Sequence, residues 1–182
     1  ERLKECMPVD SAPTLVPVNA LERGLLDLWV RTATPMSVPS RIALREAVAT
    51  MLDSWLWELD NQRLHRIADP VDYVEMRRRT FGSELTMSLS RLSHGQQVPA
   101  EVFHTRTIRG LENSAMDYAC LLNDLFSYRK EIQYEGELHN SVLVVRNFLD
   151  CDTDRALEVV GGLLNARMEQ FEHEVQHGLP VL

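Results

Sequence analysis

The residues from Ile108 to Tyr134 read IRGLENSAMDYACLLNDLFSYRKEIQY, and this run decides the fold class. Its apolar residues recur at three- and four-residue spacing, which is typical of one buried face of an α-helix. Gly136 follows the run closely, and glycine is common just beyond the end of a helix. A helix over this run, with helical patterns on both sides and no convincing pair of strands, predicts an all-α protein.

Three polar side chains lie on one face of this predicted helix. Asn123, Ser127 and Glu131 follow one another at four-residue intervals, so at ~100° per residue they fall within an arc of about 80°. An amide oxygen, a hydroxyl and a carboxylate suit a hard ion such as Mg2+, whereas Zn2+ prefers histidine or thiolate. The spacing therefore favours a magnesium site, and the alternative is an exposed helix edge that carries these residues by chance.

The same face becomes apolar towards the start of the helix. Cys120, Ala119 and Met116 continue it with small or apolar side chains. We expect a polar mouth above an apolar floor, an arrangement that suits a substrate with an ionic head and a hydrocarbon tail.

Capping residues, prolines and apolar periodicity predict further helices on both sides of this run. The predicted helices span 19–32, 39–64, 70–92 with a weak point at Gly82, 142–148, and 150–177, and a loop with at most one short turn covers 93–106. The stretch 142–148 fits a strand equally well by periodicity, but its helical neighbours favour a helix. The first 18 residues contain three prolines, so we expect an extended connection over 1–18 and one helical domain over 19–182.

The run NDLFSYRKE, from Asn123 to Glu131, resembles the NSE motif of the class I terpene synthases. The order of Asn, Asp, Ser and Glu matches that motif. In that family the Asn, Ser and Glu side chains bind one of three magnesium ions that hold the substrate diphosphate, which implies this role for Asn123, Ser127 and Glu131. The resemblance further implies that Asp124 supports these ligands without binding the ion itself.

The same resemblance implies two basic side chains that bind the diphosphate. Lys130 sits where many bacterial members place such a lysine. Arg77 lies 46 residues before Asn123 (123 − 77), about where those members keep an arginine that senses the diphosphate, and a guanidinium can fork onto two phosphate oxygens. Because successive helix positions point ~100° apart, at most one or two of the arginines 77–79 can face a pocket. Arg77 is the first choice and Arg78 the second, and a solvated basic turn is the alternative for all three.

Longer runs resemble one branch of this family, the bacterial geosmin synthases. These runs are Cys6-Met7-Pro8, Asp69-Pro70-Val71-Asp72-Tyr73, the stretch from Asn123 through Asn140 to Val145, and Gln170-Phe171-Glu172-His173. Geosmin synthases have two homologous halves, the first making germacradienol from farnesyl diphosphate and the second converting it to geosmin with loss of acetone. This chain resembles the second half more closely. The resemblance thus implies an isoprenoid substrate, farnesyl diphosphate or germacradienol, and Mg2+ as cofactor.

Two parts of the family's site are missing from the sequence. No Asp-rich motif, which in the family binds the other two magnesium ions, precedes Asn123, and no Arg-Tyr pair follows the last predicted helix before Leu182. The chain also begins at Glu1 rather than at methionine. We therefore expect a C-terminal portion of the class I terpene synthase helical bundle that lacks some helices. Its uncovered apolar face should promote self-association.

Two other metal-binding patterns compete with this interpretation. The run His173-Glu174-Val175-Gln176-His177 matches the H-E-x-x-H pattern of zinc metalloproteases. Only five residues follow it to supply a third ligand, so a polar helix end is the simpler interpretation. The acidic run 150–154 imitates a calcium loop, but Arg155 replaces the glycine that such a loop needs and Gly161 replaces its bidentate glutamate. Helix capping explains that run.

Composition restricts the possible partners and compartment. Nineteen basic against 27 acidic residues give a net charge of −8, which argues against a nucleic-acid surface. The three cysteines are too few, and odd in number, to cross-link the domain through disulfides. A reducing compartment is therefore expected. No apolar run approaches the ~20 residues that span a bilayer. We expect a soluble cytoplasmic protein.

Two classes of function stay open from the sequence. The first is a magnesium-dependent cyclase of the geosmin type, for which no residue can be assigned as the proton donor. The second is a non-catalytic helical scaffold or dimerisation fragment that has kept the motif. An Asp-rich motif upstream in the gene would favour the first.

Overall fold

Eight α-helices make up most of the part of the chain that the computed structural model describes, residues 1–94 and 98–181. In chain order they are α1 (Arg2–Glu5), α2 (Ala20–Ala33), α3 (Val38–Arg63), α4 (Pro70–Thr80), α5 (Ser83–His94), α6 (Arg106–Lys130), α7 (Ser141–Leu149) and α8 (Thr153–His173). Short 3-10 turns cover Ala100–His104 and Leu179–Val181, and π-helical turns cover Glu131–Glu135 and Glu174–Gly178. These residues contain no β-strand, so the predicted all-α class is confirmed.

The structure refines the prediction for two regions, 93–106 and 142–148. The loop predicted over 93–106 contains one 3-10 turn, and its residues 95–97 lie outside the described ranges. The ambiguous apolar stretch at 142–148 is helical and belongs to α7. Throughout the described ranges, no helix combines the length and the apolar character needed to cross a membrane.

Helices α2 and α4 begin where their capping residues predict, whereas α8 begins at Thr153 rather than at the predicted Asp150, which ends α7. Asn19 accepts a hydrogen bond from the Glu22 backbone N–H at 2.8 Å and donates from Nδ2 to Glu22 Oε1 at 3.1 Å. This is the reciprocal pairing of a capping box, and it starts α2. Asp69 accepts from the Val71 N–H at 2.9 Å and starts α4. Each cap satisfies a backbone donor that has no partner inside the helix.

Two glycines with positive φ mark a break between α4 and α5 and the end of the turn that extends α6. Gly82 adopts a φ of 79° between α4 and α5, and Gly136 adopts a φ of 67° after the π-helical turn that follows α6. A side chain is disfavoured at such positive φ values, because its Cβ would clash with the backbone. Both breaks were predicted from the sequence, and both are confirmed.

Helix α6 lies at the centre of the arrangement and packs against α4, α5, α7 and α8. One buried apolar cluster joins α6, α7 and α8, and its members are Leu121, Val142, Val145, Ala156 and Val160. A second cluster joins the start of the chain to α2 and α3, and its members are Met7, Trp29, Ala33 and Leu44. The first cluster therefore fixes the helix that carries the candidate metal ligands.

The predicted extended connection over 1–18 is wrong for the start of that segment. Residues Arg2–Glu5 form the single turn α1, and Cys6 and Met7 are fully buried. The backbone carbonyl of Met7 accepts from Arg45 Nε at 3.0 Å, which ties the segment to α3. Local periodicity does not reveal this anchoring, because it depends on two side chains that enter a core formed by distant residues.

Candidate metal centre

The three predicted ligands lie along α6 and the turn that extends it. Asn123 and Ser127 belong to the last turns of α6, and Glu131 opens the π-helical turn. Asn123 is exposed, and Ser127 and Glu131 are half-buried. The Glu131 carbonyl accepts from the N–H groups of Gly136 and Glu137, the second at 3.0 Å. π-helical turns are rare, and those inside α-helices lie frequently at functional sites.

The hydroxyl of Ser127 is a buried oxygen that a cation could pair with. Its Oγ atom is buried and has no hydrogen-bond partner among the described residues, a state shared only with Thr80 Oγ1 and Ser141 Oγ in that part of the chain. An unsatisfied buried hydroxyl costs about 1–3 kcal/mol. A bound hard cation would remove that cost for Ser127, and Asn123 and Glu131 would supply an amide and a carboxylate oxygen beside it.

The carboxylate of Glu131 is held by one oxygen. Asn140 Nδ2 donates to Glu131 Oε2 at 3.0 Å. Within the described ranges, no hydrogen bond reaches Glu131 Oε1. One oxygen therefore fixes the orientation of the carboxylate, and the other stays available to a ligand.

Asp124 is the polar centre behind this face. It is fully buried, and it accepts from the Tyr73 hydroxyl at 2.6 Å and from the Ser141 backbone N–H at 2.9 Å. The Arg77 guanidinium adds two more hydrogen bonds, from Nε at 3.1 Å and from Nη2 at 2.7 Å. Burial, followed by the nearby Asp124 carboxylate, raises the pKa of Tyr73 well above its ordinary value, so its hydroxyl keeps its proton. Asp124 thus joins α4, α6 and α7 at one point.

Arg77 reaches the candidate metal face itself. Its Nη2 atom donates to Asn123 Oδ1 at 3.0 Å, in addition to its bonds with Asp124. Burial lowers the pKa of Arg77, but the Asp124 carboxylate opposes that effect and the pKa stays raised, so the guanidinium remains charged. No hydrogen bond occupies Nη1 in the described part of the chain. Its two N–H donors are therefore available to an anion.

The neighbouring arginines have other partners, which separates Arg77 from the second choice. Arg78 makes a bidentate pair with buried Asp117 at 2.6 and 2.8 Å, joining α4 to α6. Arg79 pairs with Glu75 at 3.4 Å on the exposed side of α4. Of these three residues, only Arg77 contacts a candidate metal ligand.

Lys130 points elsewhere. Its Nζ lies 2.9 Å from Glu135 Oε1, and 69% of its side chain is exposed. It takes no part in the hydrogen-bonded network around Asp124, as far as the described residues show. A diphosphate contact from Lys130 requires its side chain to leave Glu135, and the role stays a prediction.

Of the three residues predicted to form an apolar floor, Met116 and Ala119 line one cavity and Cys120 does not. Met116 and Ala119 line a cavity of about 160 Å³ between α5 and α6, together with Phe81 and Met87. Cys120 turns instead towards α4, where its Sγ approaches the Arg77 carbonyl at 3.8 Å. Burial raises the pKa of the Cys120 thiol to about 11, so it behaves as a small apolar residue.

A second, more polar cleft of about 450 Å³ opens beside Arg77. The other residues that line it come from α3 and from the segment after the π-helical turn, and they are Trp55, Glu58, Leu59, Gln62, Glu137 and His139. Burial lowers the pKa of His139 below its ordinary value, so its ring is neutral at neutral pH. The cleft thus places a cation, two carboxylates and an imidazole next to the candidate metal face.

Sequence reasoning assigned no role to Tyr73, Asn140 or Ser141, although all three contact the network. Asn140 could have been found as a helix cap, because it directly precedes the apolar residues of α7. Tyr73 gave no local indication, since its partner Asp124 lies 51 residues away in sequence.

In the competing H-E-x-x-H pattern, Glu174 lies beside Gly110 of α6, whereas the two histidines contact each other. The rings of His173 and His177 stack with their centroids 4.6 Å apart. The described residues contain no group of three or more His, Cys, Asp or Glu side chains that could hold a metal ion.

Comparison with known proteins identifies relatives over nearly the whole chain. The family model "Terpene synthase family 2, C-terminal metal binding" matches residues 1–170. A Delta(6)-protoilludene synthase of Stereum hirsutum is 31% identical over 152 residues, which cover 84% of this chain and 40% of that protein. Sesquiterpene synthase 1 of Postia placenta is 29% identical over 175 residues, covering 92% of this chain and 49% of that protein. This chain therefore spans less than half the length of these two relatives.

The fold recurs in a solved structure. A linalool/nerolidol synthase of Streptomyces clavuligerus superposes with a TM-score of 0.82 at 20% identity, over 98% of this chain and 61% of that chain. The all-α class I terpene synthase fold predicted from the sequence is thereby confirmed.

Proposed function

This chain belongs to the terpene synthase family, and we propose that it supplies the wall of a class I active site that holds one magnesium ion through Asn123, Ser127 and Glu131. The observation that carries the proposal is the buried Ser127 hydroxyl, which has no partner in the described residues. An amide oxygen and a free carboxylate oxygen lie on the same face. Mg2+ prefers such oxygen ligands and usually keeps positions for water and substrate phosphate.

The proposed substrate is an isoprenoid diphosphate. One relative is named a sesquiterpene synthase, and the linalool/nerolidol synthase was solved with 2-fluorogeranyl diphosphate. The Nη1 donors of Arg77, which pair with none of the described residues, suit diphosphate oxygens, since a guanidinium can bind two oxygens at once. Lys130 is proposed as a second, mobile contact. The cavity beside Met116 and Ala119 suits part of a hydrocarbon chain.

The chemistry proposed for this wall is stabilisation of a leaving diphosphate. A bound Mg2+ would act as a Lewis acid on the diphosphate oxygens. Arg77 would share the charge that develops there, and the apolar surface of α5 and α6 would keep water from a carbocation. Asp124 would hold Arg77 in place, because it makes two hydrogen bonds with the guanidinium.

The finer proposal is geosmin-type activity, with farnesyl diphosphate or germacradienol as substrate, in the cytoplasm. Its support is the resemblance of the runs around Cys6, Tyr73 and Asn140 to geosmin synthases. In the structure these residues are buried, and two of them contact Asp124. Residues in such positions support the fold, so they indicate the family more strongly than the product. Identification of the product must decide the finer proposal.

A product assay tests the proposal in the protein as encoded by its whole gene. The wild type should convert farnesyl diphosphate or germacradienol to a terpene in the presence of Mg2+, detected by gas chromatography. Glu131→Gln should reduce this turnover by more than about 100-fold, because losing a ligand costs more than losing a residue that supports one. Glu158→Gln is the matched control, since Glu158 is an exposed carboxylate on α8 that pairs with exposed Arg155.

Three outcomes separate the possibilities. Loss of activity in Glu131→Gln with near-normal activity in Glu158→Gln supports the magnesium site. Equal activity and metal dependence in both variants contradicts it. A wild-type protein that makes no product from either substrate, although folded, favours the scaffold alternative.

A further inference from the structure

Asn140 occupies a buried position at which its amide has only one possible orientation. The side chain is fully buried, and its Oδ1 accepts from the Val142 backbone N–H at 3.0 Å. A backbone N–H can only donate, so the oxygen of the amide must face Val142. The Nδ2 group then faces two acceptors, the Asp124 carbonyl at 2.8 Å and Glu131 Oε2 at 3.0 Å.

This single amide links three parts of the candidate centre. Through Oδ1 it caps α7, through the Asp124 carbonyl it contacts the buried side of α6, and through Glu131 it reaches the π-helical turn. The chain leaves α6 at Glu131 and comes back beside it at Asn140. The hydrogen bond between these two side chains therefore closes the loop that joins α6 to α7. Both N–H donors of the amide and one acceptor position are used.

We propose that Asn140 is the positioning residue of the metal centre, holding Glu131 Oε2 so that Glu131 Oε1 faces the cation. This role rests on the proposed magnesium site. A carboxylate on a flexible turn must otherwise be ordered when the ion binds, and this ordering weakens binding. Residues that hydrogen-bond a metal ligand fix its orientation, and their loss typically weakens metal affinity by about 10–100-fold.

Asn140→Asp isolates this role from the capping role. Aspartate and asparagine are about equally good N-caps, so α7 keeps its cap. The substitution removes both N–H donors and places a carboxylate against Glu131. Asn140→Ser is a second variant, which keeps a capping oxygen and removes the donors without adding charge.

Asn19→Asp is a closely matched control. Asn19 also caps a helix through Oδ1 and donates from Nδ2 to a glutamate, Glu22, at 3.1 Å. It directly precedes α2, the helix that contributes Trp29 to the cluster around Met7. The same chemical change is therefore made away from the metal face.

The measurement is Mn2+ binding in the presence of inorganic diphosphate, followed by electron paramagnetic resonance of free Mn2+ in the whole gene product. Asn140→Asp and Asn140→Ser should raise the Mn2+ dissociation constant by about 10–100-fold, and Asn19→Asp should leave it within about twofold. In a Glu131→Gln background, Asn140→Asp should add little further, because residues that act through one another are not additive.

The outcomes separate a failure of the positioning role of Asn140 from a failure of the proposed magnesium site. Wild-type affinity in both Asn140 variants overturns the positioning role. The role is also overturned if Asn140→Asp weakens Mn2+ binding as much in the Glu131→Gln background as in the wild type. Asn140 would then affect Mn2+ binding without acting through Glu131. Wild-type affinity in Glu131→Gln alone shows that the magnesium site itself is misplaced, and the role of Asn140 falls with it.

Discussion

Replacing Asp124 with asparagine should lower the free energy of unfolding by about 3–5 kcal/mol, the usual cost of removing one partner from a buried ion pair. The Asp124 side chain is 0% exposed and that of Arg77 is 13% exposed, with 2.7 Å between their charged atoms. Asparagine would leave the guanidinium buried without a counter-charge. It would also turn an N–H group towards donors that now share one carboxylate.

Tyr73→Phe gives a graded comparison at the same carboxylate. It removes the 2.6 Å hydrogen bond but leaves the ion pair, so it should cost about 1.5–3 kcal/mol, the range for a hydrogen bond to a charged group. Asp27→Asn is the control, because the Asp27–Arg31 pair is 62% and 66% exposed. Exposed pairs contribute about 0–1 kcal/mol.

Urea unfolding followed by circular dichroism at neutral pH measures these differences through linear extrapolation to zero denaturant. The expected order of destabilisation is Asp124→Asn, then Tyr73→Phe, then Asp27→Asn. An Asp124→Asn protein that is no less stable than Asp27→Asn would refute the reasoning, because the buried network would then contribute nothing to the junction of α4, α6 and α7.

Three further outcomes are expected. Hydrogen bonds from Arg2 hold the pKa of Glu22 at about 2, below its usual 4.5. The stabilisation from ionised Glu22 should be complete above pH 4.5 and vanish as the pH falls through about 2. The melting temperatures of wild type and Glu22→Gln should therefore converge between these two pH values. His173→Ala should leave magnesium-dependent turnover near normal, and elemental analysis should find zinc well below one equivalent. The 182-residue polypeptide alone should give no terpene product, and turnover matching that of the whole gene product would contradict this. The polypeptide should also self-associate in sedimentation, because 84% of Phe126 and 63% of Leu59 are exposed; a monomer would contradict this.

Much of the helix pattern could be predicted because its determinants are local. The capping box at Asn19, the cap at Asp69 and the positive-φ glycine at Gly82 each depend on a few adjacent residues. The backbone donors at a helix start have few possible partners, so a suitable side chain nearly specifies the boundary. The burial of Met7 could not be predicted this way, because it requires the assembled surfaces of α2 and α3.

The candidate site likewise contains features that depend on adjacent residues and features that depend on residues distant in sequence. Helical spacing places Asn123, Ser127 and Glu131 on one face, and this much follows from 3.6 residues per turn. The choice of Arg77 over Arg78 is supported only when the structure shows Arg78 committed to Asp117. Periodicity cannot assign such a partner, because the two residues are 39 positions apart.

Long flexible side chains mark another limit of sequence reasoning. Lys130 follows the metal face in sequence, yet its ammonium lies beside Glu135. A lysine has several rotatable bonds and a compact charge, so an exposed one pairs with whichever carboxylate is near. Asn140 shows the opposite case, since a short buried amide has one arrangement that satisfies it.

The most direct test of the magnesium site is a crystal structure of the whole gene product grown with Mn2+ and inorganic diphosphate. The account predicts an anomalous difference peak about 2 Å from Asn123 Oδ1, Ser127 Oγ and Glu131 Oε1, the distance expected for a small hard cation. Arg77 Nη1 should then contact a diphosphate oxygen. A diphosphate-bound structure in which Mn2+ lies only at other residues, with Ser127 Oγ paired to a protein atom, would contradict it.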